Sequence, residues 1–237
     1  MSQIYFIWNG VDCRSKGIEL KNPIPIVRPQ ERVKHVEIPG REGDLTQTEG
    51  EGIYNSYIQP AMIQVKGGYR VREINNWLKG SGYVTFHGEP DRKQPARIIG
   101  AVTLNRISRN LDIWAGDVQF YCQPLKELLQ ETDETITSSG VTVRNNGDVI
   151  SKPMWKVTAS GSSAVLAAGG KSITVTGLAS GQVIWIDSDT MEILNADKTD
   201  TLTKNSIGGF PVLVPGANTV TGSGWSSVVI TKRERYL

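Results

Sequence analysis

Along most of the chain, hydrophobic and polar residues alternate with a period of two, which is the pattern of half-buried β-strands. The clearest case is Ile173 and Val175, which alternate with serine and threonine residues. Near the start of the chain, an apolar run at residues 5–8 precedes Asn9 and Gly10. This pair favours a two-residue hairpin turn because both residues tolerate positive φ. The alternation therefore predicts a chain built mainly of short strands.

One segment, residues 70–78, has helical spacing instead. Val71, Ile74, Trp77 and Leu78 recur at i, i+3, i+6 and i+7, which places them on one apolar face of a helix. A glycine follows two residues later, at a position where helices commonly end. The first half of the chain is thus predicted to contain many strands and one α-helix.

The composition changes after residue 124, and this change predicts a domain boundary. Residues 125–129 favour a short helical turn, and residues 131–140 are polar and predict a linker. We therefore expect a first domain at residues 1–130 and a second at residues 141–237. The second domain contains about seven short apolar segments separated by glycine, serine and asparagine, which is typical of a β-sandwich or jelly roll.

Composition and charge exclude several classes of function. The formal net charge of the 237 residues is +2, which gives no electrostatic reason to expect a nucleic-acid or membrane partner. The two cysteines, Cys13 and Cys122, form no close-spaced metal or redox motif, and folding in a reducing compartment is the simplest interpretation. We expect no signal peptide, and no apolar run is long enough to cross a membrane.

Candidate catalytic and metal-binding residues fit ordinary structural roles better than chemistry. His35 and His87 lie in or beside predicted strands, and neither accompanies a recognisable nucleophile motif. Asp187, Asp189 and Glu192 offer oxygen ligands for Ca²⁺, but an Asp-Ser-Asp-Thr stretch between strands also caps its own hairpin turn. We favour the turn, and predict no catalytic residue, no cofactor and no metal site.

The order of several motifs resembles the distal tail protein family of siphophages. Residues 36–45 read Val-Glu-Ile-Pro-Gly-Arg-Glu-Gly-Asp-Leu, which is similar to an isoleucine/valine-Pro-Gly-Arg-x-Gly-x-Leu stretch typical of that family. The other matching segments, in chain order, are residues 6–12 with 17–20, residues 74–78 with 83–86, residues 96–121, and a Pro-Gly-x-Asn turn within residues 208–218. Together these segments extend the resemblance over essentially the whole chain.

The resemblance implies a mainly β fold and a structural role. The fold would be a β-rich, ring-forming N-terminal domain with one α-helix, followed by a galectin-like β-sandwich with jelly-roll character. The function would be that of a virion structural component at the tail tip of a long-tailed phage or prophage, assembled in the cytoplasm of the host bacterium. A homohexameric ring would join the tail tube protein to tail-tip, baseplate or tail-associated adsorption proteins. Nucleic acid would only pass through the channel, and nothing would insert into a membrane.

Interface residues for such a ring are expected in the glycine-rich segment at residues 40–52. This segment is polar and offers no core face, as in a long loop or arm used for an interface. Closing a ring needs a head-to-tail contact between neighbouring copies. The candidate interface residues are Pro39, Gly40, Arg41, Glu42, Asp44 and Leu45.

Three tryptophans keep an alternative function open. Residues 183–186 are apolar throughout, which predicts a strand buried on both faces, and core packing is favoured for Trp155 and Trp185. Trp225 follows a Gly-Ser-Gly stretch and is a candidate for stacking on a sugar. The alternative is therefore a carbohydrate-binding β-sandwich protein that recognises a host surface, although the side-chain set of true galectins is not evident.

An enzyme such as a glycoside hydrolase is the weakest alternative. That chemistry needs two carboxylates about 5–10 Å apart across a cleft. The sequence contains pairs of acidic residues but no sign of such a groove. We therefore predict that the chain is not an enzyme.

Overall fold

A computed structural model describes residues 4–48, 52–108 and 110–237, with only the backbone at Lys204. The chain divides into two compact units, Met1–Leu129 with Leu237, and Gln130–Tyr236. We refer to them as the first unit and the second unit, and describe each by itself.

The first unit is a curled antiparallel sheet with one short α-helix. Its strands run in the order β2-β1-β7-β8-β10-β6-β3, with β9 paired to β10 and β11 paired to β8. A separate two-stranded sheet is formed by β4 and β5. The elements are β1 (Phe6–Trp8), β2 (Val11–Asp12), β3 (Ile18–Leu20), β4 (Val33–Val36), β5 (Leu45–Thr48), β6 (Tyr57–Lys66), α1 (Val71–Trp77), β7 (Ser81–Phe86), β8 (Arg92–Ile99), β9 (Asn105–Ser108), β10 (Ile113–Cys122) and β11 (Lys126–Leu128), with 3-10 helices at Cys13–Lys16 and Gly68–Arg70.

The first hairpin forms as the sequence predicted. Asn9 and Gly10 have φ values of 49° and 79°, so both residues adopt the left-handed conformation that a tight turn between twisted strands requires. The side chain of Asn9 also accepts a hydrogen bond of 2.9 Å from the backbone N–H of Tyr83. The turn thus fixes β1 against its neighbour β7 as well as against β2.

Aromatic side chains and the helix close the core of the first unit. The Phe6 ring packs edge-on against Phe120, with centroids 5.2 Å apart, and stacks on Trp77 at 6.0 Å. Such pairs stabilise a core by about 0.5–1.5 kcal/mol each beyond the area that they bury. The predicted helix at residues 70–78 is confirmed as α1, and its buried Ile74 faces this core.

The predicted helical turn at residues 125–129 is wrong, because this segment forms β11 instead. Its neighbour β8 offers unpaired backbone groups at this point, and tertiary pairing overrides a weak local helix preference. The pairing also buries Lys126, whose Nζ lies 2.6 Å from a carboxylate oxygen of Glu89.

The second unit is a β-sandwich. Its described strands form two antiparallel sheets, ordered β12-β21-β14-β17-β18 and β13-β20-β15-β16-β19. The elements are β12 (Asp133–Ile136), β13 (Val141–Asn145), β14 (Met154–Ala159), β15 (Ser163–Ala168), β16 (Lys171–Thr176), β17 (Val183–Asp187), β18 (Glu192–Asn195), β19 (Ser206–Gly208), β20 (Gly216–Ser223), β21 (Trp225–Thr231) and β22 (Arg235–Tyr236), with a 3-10 helix at Thr203–Asn205. The observed sandwich confirms the predicted fold class.

The segment expected to be a linker, residues 131–140, contains strand β12. This strand pairs with β21 at the edge of its sheet, and Ile136 is buried in the sandwich core. Asp133 and Thr135 face solvent, as expected for an edge strand with one face in water. Their polarity made the segment look like a linker, and the compact unit begins before it, at Gln130.

Strand β17 is buried on one face only, and this corrects the sequence prediction. Ile184 and Ile186 belong to the core, whereas Val183 and Trp185 are half-buried on the outward face of the sheet. A sheet in a sandwich has only one inner face. The apolar residues on the outer face of β17 had suggested a second buried layer, but the described fold contains no such layer at this strand. Trp155 is fully buried, as predicted.

Candidate functional site

Strands β4 and β5 form a ribbon that stands apart from the main sheet of the first unit. The register pairs Val33 with Thr48 and Val36 with Leu45. At the base, the ladder continues through a bridge between Glu31 and Tyr54 and nearby backbone hydrogen bonds of 2.8 Å. We call residues 31–48 and 52–54 the arm.

The six candidate interface residues cluster at the tip of the arm and are all exposed. The tip turns at Gly40 and Gly43, with φ values of 81° and 75°. The N–H of Arg41 donates to the carbonyl of Ile38 at 3.1 Å. The clustered, exposed candidates are Pro39, Gly40, Arg41, Glu42, Asp44 and Leu45. The expected arm at residues 40–52 thus lies in this ribbon, and positions 49–51 lie outside the described residues.

Two apolar residues of the arm lie directly opposite each other near its tip. Successive residues of a strand point to opposite faces, so Val36 and Leu45 share one face with the polar residues Lys34 and Gln47. Among the described residues, neither apolar side chain belongs to a hydrophobic core, and Leu45 is 43% exposed. An isolated two-stranded ribbon is only marginally stable in water. The arm therefore has the properties of an element that another surface covers.

A second exposed apolar surface lies on the main sheet of the first unit. Strand β6 alternates buried and exposed residues, and its outward side chains Ile58 and Met62 are 52% and 45% exposed. On the neighbouring strand β10, Tyr121 lies directly opposite Ile58 and is 40% exposed. We call Ile58, Pro60, Met62 and Tyr121 the outer patch. The outer patch could not be predicted from the sequence, because alternation along a strand shows that one face is buried but not that the other face is also apolar.

The acidic cluster of the second unit caps a turn, as the preferred interpretation predicted. Asp187 receives two hydrogen bonds from the Arg233 guanidinium, at 2.7 and 3.0 Å, and backbone N–H donors of Asp189 and Thr190 also point to it. Burial raises the pKa of Asp187, but these donors outweigh it and hold the pKa below its usual range. Within the described residues, no group of three or more His, Cys, Asp or Glu is arranged to hold a metal.

The histidines and cysteines occupy separate structural positions. The ring of His35 contacts the Thr46 hydroxyl across the arm at 3.4 Å, and that of His87 contacts the carbonyl of Tyr5 at 3.3 Å. Both cysteines are buried and unpaired with each other. Burial raises the pKa of Cys13, and raises the pKa of Cys122 to about 12. Such thiols are poor nucleophiles.

The expectation that Trp225 stacks on a sugar is contradicted by its burial. Its indole is 9% exposed, lies in the sandwich core and donates its N–H to the carbonyl of Val165 at 3.0 Å. One of the glycines that suggested an open turn, Gly222, instead makes room for the indole, since a Cβ there would lie 2.7 Å from the Trp225 nitrogen. The outward-facing tryptophan of this sheet is Trp185, and the ammonium group of Lys198 lies 3.8 Å from its ring centroid.

Among the described residues, no helix is long and apolar enough to cross a membrane. The described residues place the chain in a class of mainly β proteins. Along the chain, a curled sheet with one α-helix and an exposed ribbon is followed by a β-sandwich.

This architecture is that of a solved phage protein. The chain is similar to the SPP1 Dit (gp 19.1) protein, with a TM-score of 0.79 over 99% of both chains and 19% sequence identity. That protein is described as a paradigm of the hub adsorption apparatus in phages that infect Gram-positive bacteria. No family model matches the sequence, and no curated protein matches it. The fold expected from the resemblance to distal tail proteins is thus confirmed.

Proposed function

We propose that this chain is a distal tail protein, a structural component at the tail tip of a long-tailed phage or prophage. The observation that carries the proposal is the structural similarity to a phage hub protein over 99% of both chains. Similarity over this extent includes the arm and the sandwich as well as the main sheet. The proposed location is the virion, at the tail tip, after assembly in the cytoplasm of the host bacterium.

The proposed assembly is a hexameric ring closed by contacts of the first unit. A ring of identical chains needs a head-to-tail interface between two different surfaces. The arm supports this role, because its tip residues are exposed and its Leu45 side chain lies outside the hydrophobic cores of the described residues. In this proposal the tip, from Pro39 to Leu45, contacts the adjacent copy.

The proposed partners on the two sides of the ring are a tail tube protein and a tail-tip, baseplate or tail-associated adsorption protein. The chain would act by connecting them and not by catalysis. Nucleic acid would pass through the ring channel without a dedicated binding site. The near-neutral charge of the chain supports this, because phosphate binding depends on clustered cations.

Carbohydrate binding remains the second candidate function, and one observation bears on it. Trp185 is the tryptophan on the outward face of the sandwich, so the alternative now rests on this residue and not on Trp225. The Lys198 ammonium already lies on the Trp185 ring, where a sugar would have to displace it. A glycan array probed with the full chain tests this function directly. Loss of binding in Trp185→Leu, with Trp225→Phe as the control, would favour it.

The experiment that tests the hub function is the solution mass of the purified chain, measured by light scattering together with negative-stain images. We expect a mass near six times 26.0 kDa and rings with a central hole. A monomer at every concentration would count against the ring and make the glycan screen the next step.

A variant then tests the arm. Replacing Pro39, Gly40 and Arg41 by alanine should weaken the ring more than the fold of the monomer. The side chains of Pro39 and Arg41 are exposed, and alanine at position 40 adds only the local strain of a positive φ. A matched control replaces the exposed Lys171 and Ser172 of the second unit. An intact ring in the arm variant would contradict the interface assignment, while leaving the ring itself in place.

A further inference from the structure

We infer that the outer patch is the docking surface for the arm of a neighbouring copy of this chain. The inference rests on the proposed ring, and it adds the acceptor surface that the ring requires. In this arrangement the Val36 and Leu45 side chains of the arm lie on the outer patch of the next copy.

The described residues include two groups of exposed apolar side chains, one on the arm and one on the main sheet. Leu45 and Ile38 on the arm are 43% and 38% exposed, and Ile58 and Met62 on the sheet are 52% and 45% exposed. Contiguous exposed apolar surface on a soluble protein commonly marks an interaction site. Since the two surfaces differ, their pairing between copies is head-to-tail, and such contacts close into rings when the rotation permits.

The two apolar surfaces have a similar arrangement. On the arm, Val36 and Leu45 lie directly opposite each other, and Ile38 follows Val36 two residues later. On the sheet, Ile58 and Tyr121 lie directly opposite each other, and Pro60 and Met62 follow Ile58 along the same strand. With a rise of about 3.3 Å per residue and a strand spacing of about 4.8 Å, an opposed pair with the next apolar residue spans roughly 7 Å by 5 Å on either surface. Face-to-face packing of the two groups would remove both from water.

The two surfaces also carry opposite charges. Lys34 is exposed on the same face of the arm as Val36, two residues away. Asp117 is exposed on the main sheet, directly opposite Met62 across the strands. Within the described parts of the chain, neither Lys34 nor Asp117 forms an ion pair. Docking of the arm would bring these opposite charges to the rim of one contact, where they favour the correct register.

Disulfide cross-linking tests the contact directly. The native thiols, Cys13 and Cys122, are buried and leave the surface free of competing cysteines. In a chain carrying Leu45→Cys and Met62→Cys, mild oxidation should link neighbouring copies into a ladder that ends at six chains on a non-reducing gel. Mixing the two single variants should give linked dimers only. The control chain carries Leu45→Cys with Ile207→Cys, whose site in the second unit is 78% exposed, and should give no ladder.

A charge exchange provides an independent measurement on the ring. Lys34→Glu and Asp117→Lys should each raise the concentration at which the ring dissociates by about tenfold, and the double exchange should restore it. Rings of the expected mass without a ladder and without restoration would overturn the docking surface while leaving the hub function standing. A wild-type chain that forms no ring would overturn both.

Discussion

Removing Arg233 should destabilise the second unit in a way that depends on pH. The Arg233 guanidinium donates two hydrogen bonds to the carboxylate of Asp187, at 2.7 and 3.0 Å. The Asp187 side chain is only 7% exposed, and that of Arg233 is 24% exposed. Arg233→Met keeps the unbranched stem and removes the charge, so Asp187 would remain almost buried with only its backbone donors.

The loss in the free energy of unfolding caused by Arg233→Met lies between two limits. Breaking a fully buried ion pair costs about 3–5 kcal/mol, whereas an exposed pair contributes about 0–1 kcal/mol. Asp187 resembles the first case and Arg233 is partly solvated. The backbone N–H groups of Asp189 and Thr190 continue to stabilise the carboxylate. We therefore expect a loss of about 2–3 kcal/mol in the free energy of unfolding, or on the order of 10 °C in melting temperature.

The pH dependence follows from the direction of the pKa shift. The pKa of Asp187 is lower in the folded chain than its ordinary value of about 3.9. A lowered pKa contributes stability that is fully present above the unfolded pKa and is lost as the pH falls through the folded pKa. The difference between wild type and Arg233→Met should therefore be largest at neutral pH and shrink below about pH 4.

Scanning calorimetry of the full chain at a series of pH values measures both effects. Lys152→Met is the matched control, because its partner Asp189 is 37% exposed and the pair should contribute less than about 1 kcal/mol. If Arg233→Met costs no more than this control, or if its cost does not change between pH 7 and pH 3, the reasoning about the buried pair is refuted.

Two further predictions concern buried groups. The Ser188 hydroxyl accepts a hydrogen bond from the indole N–H of Trp155 at 3.0 Å and donates one to the carbonyl of Pro211 at 2.6 Å. Ser188→Ala should therefore lower the free energy of unfolding, measured in urea, by about 2–4 kcal/mol, and a loss below about 1 kcal/mol would contradict these bonds. Cys13 and Cys122 should not react with a thiol reagent at pH 8 until the chain unfolds, because both thiols are buried and burial raises the pKa of both. Rapid labelling of the folded chain would count against this packing.

Features that depend on neighbours in the sequence could be predicted well. The turn at Asn9 and Gly10 needs two adjacent residues with positive φ, and the helix at residues 70–78 needs an apolar stripe within nine residues. The exposed turn at the tip of the arm belongs to the same group, because it lies in one continuous stretch from Pro39 to Leu45. The role of its six candidates in an interface stays a prediction.

Features that depend on distant pairing could not be predicted. Strand β11 looked helical and strand β12 looked like a linker, because each becomes a strand only through the edge that it joins. Trp185 and Trp225 were misjudged for the same reason. Which face of a strand points inward depends on the sheet opposite, and local spacing does not contain that information. The outer patch also needs two strands, β6 and β10, that the sequence separates.

The arm has a consequence for chains that have not yet assembled. Its two sides pair with each other down to the bridge between Glu31 and Tyr54 at the base, and the residues of its tip, from Pro39 to Leu45, are exposed. Proteases need several residues of extended, accessible backbone, and exposed loop tips are where they cut. A lone chain is thus vulnerable to cleavage near Gly40 and Gly43, whereas docking would hide the same bonds. If the proposed ring forms, degradation would then remove chains that have not assembled, and the number of surviving chains would follow the number of rings.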